Sequence, residues 1–231
     1  MGNGTNNVQG LDSIPHIPES RVIEDEMPPW SLPLANRTVL ASMGMTIDGR
    51  VISVFRTLQE LNHRLGERGA KGERLDADTF QAFTYSASSR LLRLKGSLPD
   101  ISSECLRLGL LSFMTLSSFR VMETRYGPGR DSTLYPYLTH SFRTALLAVD
   151  FASDQLSSLM LWLLTIGAMS VFDIDKEHWL VEKWNETAQA LPGVSLSWEA
   201  ATEQLESVIW TKSLHNDMGF KVYQKFIKKT R

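Results

Sequence analysis

The chain has 231 residues and a mass of 26.0 kDa, with 42% apolar and 22% charged side chains, which excludes a fibrous or wholly disordered protein. Its formal charge of -2 and pI near 6.2 leave no global positive field to draw it to nucleic acid or to an anionic membrane. Cys105 is the single cysteine, so an internal disulfide, a Cys-x-x-Cys redox pair and any zinc site needing two or more thiolates are excluded.

Residues 1–7 show no basic stretch followed by an apolar one, so they do not read as a secretory signal, and Asn6 stands where myristoylation of Gly2 requires Ser or Thr. Residues 1–35 hold five of the nine prolines and six charges that sum to -4. Proline interrupts helices and this stretch has little to bury, so it is expected to form an extended, largely disordered arm ahead of a single helical domain over 36–231. Met27-Pro-Pro-Trp-Ser-Leu-Pro-Leu is the one sticky segment of that arm, suited to strap over the domain or to meet a partner.

From residue 46 onward apolar residues recur at three- and four-residue spacing, the period of helices. A first helix carries Val51, Val54, Phe55, Leu58 and Leu61 on one face, and the three glycines of Gly66-Glu-Arg-Gly-Ala-Lys-Gly72 predict an unwound connector after it. Asp76 or Asp78 caps a second helix that turns Phe80, Phe83, Ala87, Leu91 and Leu94 inward and stops at Gly96 and Pro99. A third, from about Asp100 to Arg125, carries Cys105, Leu108, Phe113 and Phe119, and Tyr126-Gly-Pro-Gly-Arg is a turn. A fourth starts near Pro136.

Residues 155–172 contain no charge, yet they include several Ser, Thr and Gly residues and are bracketed by aspartates, so the segment reads as a buried core helix rather than a membrane span. Apolar nearly all round, it is expected to be the central helix that the others surround. Asp173 or Asp175 is expected to cap a sixth helix and Ser197 a seventh. An eighth, from about Asn216, would turn Phe220, Tyr223 and Phe226 inward and several lysines outward. No stretch alternates like a strand. The expected fold is all-α: about eight helices around a central apolar helix, in an α-solenoid-like array.

Chemistry-bearing patterns are sparse. His178 and Glu182 share a helix face, but without a second histidine they fall short of a zinc-hydrolase motif, and no metal site or cofactor is expected. No Gly-x-Ser-x-Gly occurs, and Cys105 sits at an apolar helical position where a thiol serves as packing. Six tryptophans, including Trp162 and Trp179, could line an apolar ligand pocket.

Three ordered segments carry a resemblance over about residues 95–215. They are Glu104-Cys-Leu-Arg-Leu-Gly-Leu-Leu-Ser-Phe-Met-Thr-Leu, then Leu161-Trp-Leu-Leu-Thr-Ile-Gly-Ala-Met-Ser-Val-Phe-Asp with Trp179-Leu-Val-Glu-Lys-Trp, then Ser197-Trp-Glu-Ala-Ala-Thr-Glu-Gln-Leu-Glu-Ser-Val-Ile-Trp. Together they resemble the regulatory, or middle-homology, domain of fungal-specific transcription factors of the binuclear zinc cluster class. In that class a module with six cysteines reads DNA, and a lone Cys105 cannot build it.

The resemblance therefore implies a transcription-factor-like regulator, nuclear or else cytoplasmic, associated with a fungal secondary-metabolite gene cluster. Such a protein would act through protein partners or a hydrophobic small-molecule effector, without sequence-specific DNA reading and without a membrane. The alternative is a cofactor-free cyclase or isomerase recruited from the same helical domain, with Arg107, Asp173 and His178 as its candidate polar groups around an interior lined by Trp162 and Trp179. A truncated gene product with no independent role is the third reading.

Overall fold

Asp48, Asp76 and Ser197 each place a side-chain oxygen on a backbone N–H at the start of a helix, and these caps mark three of the eight helices seen among the described residues. The computed structural model describes residues 41, 47–72, 76–126, 136–149, 151 and 154–230. The expected arm over 1–35, the turn beyond Tyr126 and the side chain of Phe119 lie outside the described residues.

The helices are α1 (Gly49–Ala70), α2 (Ala77–Arg93), α3 (Ile101–Tyr126), α4 (Pro136–Ala148), α5 (Asp154–Ser170), α6 (His178–Ala190), α7 (Trp198–Glu206) and α8 (Lys212–Thr230). The described residues contain no strand, so the body is all-α. None of these helices is long and apolar enough to cross a membrane.

Two boundaries differ from the periodicity. α1 runs through Gly66 and Gly69, because a helical glycine costs only about 1 kcal/mol and the hydrogen-bond ladder continues past it. The stop comes at Gly72, whose φ of 72° lies in the left-handed region that glycine alone adopts freely. α8 begins at Lys212, four residues before Asn216.

Apolar side chains from all eight helices join one buried cluster. Residues 158–169 of α5 are buried throughout, and this helix packs on α3, α6, α7 and α8. α3 in turn packs on α1, α2 and α4 as well as α5, and α1 also touches α8. A solenoid of successive pairs leaves its first and last elements apart, because each repeat contacts only its neighbours. Here the first and last described helices meet.

Close approach within this core depends on glycine at two crossings. A Cβ on Gly109 of α3 would collide with Leu163 of α5, and one on Gly219 of α8 would lie 2.6 Å from the Trp210 ring and 2.9 Å from that of Trp198. The Gly219 crossing changes what α8 turns inward. Its buried face is His215, Gly219, Val222, Tyr223 and Phe226, while Phe220, expected inside, is 40% exposed, with its ring tilted 5.8 Å from that of Trp198.

Candidate functional site

The interior is most polar where the connector between α7 and α8 passes under α1 and α5. Three consecutive backbone carbonyls there each accept a side-chain hydrogen bond. Gln59 Nε2 donates to Val208 at 2.9 Å, Trp162 Nε1 to Ile209 at 2.6 Å, and Asn62 Nδ2 to Trp210 at 3.0 Å. The Thr211 N–H donates to His215 Nδ1 at 3.0 Å, and the Thr211 hydroxyl donates to Asn62 Oδ1. A buried connector must satisfy its backbone in this way, since an unpaired buried carbonyl costs about 1–3 kcal/mol.

Because Nδ1 of His215 accepts a backbone N–H, that nitrogen carries no proton, and the neutral ring bears its proton on Nε2. The ring lies 5.3 Å from that of Phe113 and 5.1 Å from that of Trp210. Of this cluster only Trp162 stands out in the sequence; Gln59, Asn62, Thr211 and His215 do not. The cluster's signal was present in α1: Gln59 follows Phe55 by four residues and Asn62 follows Leu58 by four, which puts two amides at the helix's core-facing spacing.

An aromatic group fills the space between α5, α6, α7 and α8. Trp184 stacks on Phe226 at 4.6 Å and meets Tyr223 edge-on at 5.9 Å, and Trp198 lies 5.5 Å from Tyr223. Burial raises the Tyr223 phenol above its ordinary pKa, and its hydroxyl donates to the Val194 carbonyl at 3.2 Å. Among these rings, with Thr165 and Leu161 of α5, lies a cavity of about 10 Å³. That is room for about one water molecule, far below the roughly 300 Å³ at which small-molecule sites begin.

The candidate catalytic groups stand on separate parts of the fold: Arg107 in α3, Asp173 after α5 and His178 at the start of α6. Arg107 is buried, and its Nε and Nη2 each meet a Glu104 carboxylate oxygen at 2.6 Å while Nη1 donates to the Leu91 carbonyl at 3.2 Å. This fork ties α3 to the end of α2.

Asp173 shapes the turn after α5. Its Oδ1 accepts the Asp175 N–H at 3.0 Å, its Oδ2 lies 3.2 Å from Lys176 Nζ, and these contacts lower its pKa below the ordinary 3.8. Neither Asp173 nor Asp175 caps α6. Asp175 instead meets Lys225 at 2.9 Å and Lys229 at 3.2 Å, which anchors α8.

The residue at the cap position of α6 is Glu177, and it makes no side-chain cap bond because its two carboxylate oxygens are taken by Arg143 and by Trp179 Nε1. His178 is exposed at the first helical position.

The two candidate ligand-binding indoles enter different clusters. Trp162 is fully buried beside Phe113, whereas Trp179 is half-buried and edge-on to Phe172 at 5.3 Å. Neither lines the cavity. Burial pushes the Cys105 thiol far above its ordinary range, so it stays protonated and inert. No group of three His, Cys, Asp or Glu side chains among the described residues could hold a metal ion.

Comparison of the chain with protein-family models, with curated proteins and with solved structures finds no match.

Proposed function

We propose that the chain is a transcription-factor-like regulatory protein of the nucleus, associated with a secondary-metabolite gene cluster, that acts through its surface on protein partners and not as a catalyst or a direct reader of DNA. The observation that carries this reading is how the polar candidates are used. Arg107 and Trp162 are each held by bonds that join one helix to another helix or connector, and Asp173 is bonded within its own turn. The void among Trp184, Trp198, Tyr223 and Phe226 holds about 10 Å³. A cyclase or isomerase needs a shaped, dry chamber with a proton-handling group facing it. The ordered resemblance of residues 95–215 to a regulatory domain supports the same reading.

Gene deletion in the source organism, followed by transcript and metabolite profiling, tests it. A regulator predicts the loss of a set of transcripts together with every metabolite they encode. Unchanged transcripts with one accumulated intermediate would mean an enzyme and would overturn the proposal.

A further inference from the structure

The connector between α2 and α3 carries an exposed serine in irregular backbone. Residues 94–100 join the two helices, with Gly96 at φ 71° turning the chain and Leu98 packed on the core. Ser97 itself is exposed and belongs to neither helix. Two exposed cations precede it, Lys95 by two positions and Arg93 by four, while Arg90 is held by Ser53 Oγ at 2.7 Å. Ser195, the other exposed serine outside the helices among the described residues, has no basic residue within five positions on either side.

The start of α1 brings a third cation to the Ser97 hydroxyl. Arg50 Nε and Nη2 form a fork on the Asp48 carboxylate at 3.0 and 2.8 Å, and Nη2 also donates to the Ser97 carbonyl at 2.9 Å. Those bonds use the hydrogens of Nε and Nη2. Nη1 carries two more, and its contact is the long one of 3.5 Å to Ser97 Oγ. Asp48 thus fixes a guanidinium whose side chain is 53% exposed and whose remaining donors stand at the serine oxygen. The hydroxyl donates to the Leu94 carbonyl at 3.0 Å, but that carbonyl also accepts the Ser97 N–H at 3.1 Å. Replacing the hydroxyl proton therefore orphans no acceptor.

We propose that Ser97 is a phosphorylation site whose phosphate is received by Arg50. The phosphoryl donor is ATP, and the catalyst is a serine kinase whose acidic groove reads basic residues ahead of its target. Ser97 Oγ bonds to the γ-phosphorus, the bond from that phosphorus to the β–γ bridging oxygen breaks, ADP leaves, and the hydroxyl proton passes to solvent. The product adds a charge of about -1.5 to -2 and three strong acceptor oxygens. Arg50 Nη1 supplies donors to them, and hydrogen bonds between ionised partners are the short, strong kind. Asp48 and Asp100, the acids flanking this connector, are already bonded to Arg50 Nε and Nη2 and to Ser103, so neither takes Nη1. The proposal stands apart from the regulatory reading, since a charge switch at this turn neither needs nor supplies a role in transcription.

Two measurements test it. The full chain is incubated with ATP and a serine kinase selective for basic residues ahead of its target, and the product is mapped by mass spectrometry. Phosphate is expected on Ser97, and Arg93→Gln combined with Lys95→Gln should slow its incorporation by at least about tenfold while circular dichroism stays unchanged. In the second measurement phosphoserine is installed at position 97 by genetic encoding. Phosphorus NMR then titrates the full chain beside a free phosphopeptide of residues 91–102, which carries Arg93 and Lys95 but not Arg50. A nearby opposite charge favours the ionised form, so the second phosphate pKa, about 6 in a free ester, should be lower in the chain than in the peptide by at least about 0.3. Arg50→Gln should return it to the peptide value. No phosphate on Ser97, equal pKa values in chain and peptide, or a difference that survives Arg50→Gln would each overturn the proposal.

Discussion

Replacing Gly219 by alanine puts a methyl group where two indoles already lie. The new Cβ would sit 2.6 Å from Cη2 and Cζ2 of Trp210 and 2.9 Å from Cη2 of Trp198, whereas carbon atoms in contact settle at about 3.5–4.0 Å. Neither ring can swing aside. Trp210 Nε1 donates to Asn216 Oδ1 at 2.9 Å, and Trp198 meets Trp210 edge-on at 6.2 Å and Tyr223 at 5.5 Å.

Overpacking of this kind costs about 1–3 kcal/mol, and alanine's better helix propensity returns about 1 kcal/mol of it. A net destabilisation of up to about 2 kcal/mol follows, or a Tm lower by about 2–4 °C per kcal/mol for a chain of this size.

Gly66→Ala is the matched control, since Gly66 lies inside α1 with nothing within 4 Å of its Cβ position. It should stabilise by about 0.5–1 kcal/mol, so the two Gly→Ala changes carry opposite signs. Urea unfolding followed by circular dichroism measures both. If Gly219→Ala raised the midpoint as much as Gly66→Ala does, the α8 crossing would not be built as described. A smaller indole-to-ring change at Trp210 should partly rescue Gly219→Ala, because contacting residues couple by about 0.5–3 kcal/mol.

Trp162→Phe keeps most of the ring but removes the donor to the buried Ile209 carbonyl, so unfolding free energy should fall by about 1–3 kcal/mol in the same urea assay. Glu104→Ala strands the buried Arg107 cation, whereas Arg107→Met removes that charge and leaves a carboxylate that already reaches solvent. The first should destabilise more, by as much as about 3–5 kcal/mol, and equal losses would refute the placement of Arg107. Asp48, Asp76, Asp173 and Asp175 all have pKa values lowered below the ordinary 3.8, through hydrogen bonds to Arg50, Thr79, Asp175 and Lys225 respectively. Folding therefore favours their ionised forms. Their stabilisation is complete above about pH 4 and is lost as the pH falls through the folded values, so a Tm profile should drop below that point, less steeply in Asp175→Asn.

Much of the local structure was legible because its causes are local. Asp76 and Ser197 cap helices wherever a short polar side chain precedes an apolar period, and both do so here. The eight helices follow from spacing that any neighbour would exploit.

The cap of α6 was not legible. Arg143 of α4 and Trp179 of α6 claim both oxygens of Glu177, while Asp175, two residues earlier, is taken by lysines of α8. Phe220 was misplaced for a similar reason, since only the two tryptophan rings on Gly219 reveal which side of α8 faces the core. Of the candidate site, Arg107 could be read as a polar group near an apolar helix, and Trp162 and Trp179 as large aromatics suited to an interior. Their separation into a structural ion pair, a connector clamp and the aromatic contact of Trp179 with Phe172 could not.

Sequence by itself determined the all-α body, the eight helices named among the described residues and most of their starts, since periodicity and capping act over one turn and are written in neighbouring residues. Tertiary structure alone decided that α1 and α8 meet, that Gln59, Asn62 and Trp162 hold three successive carbonyls of the α7–α8 connector, and that Arg107 is spent on Glu104 and Leu91. The physical reason is reach. A buried backbone carbonyl or cation takes whichever partner the fold brings within hydrogen-bond distance, and here the connector's amide and indole partners stand 47 to 149 residues away along the chain.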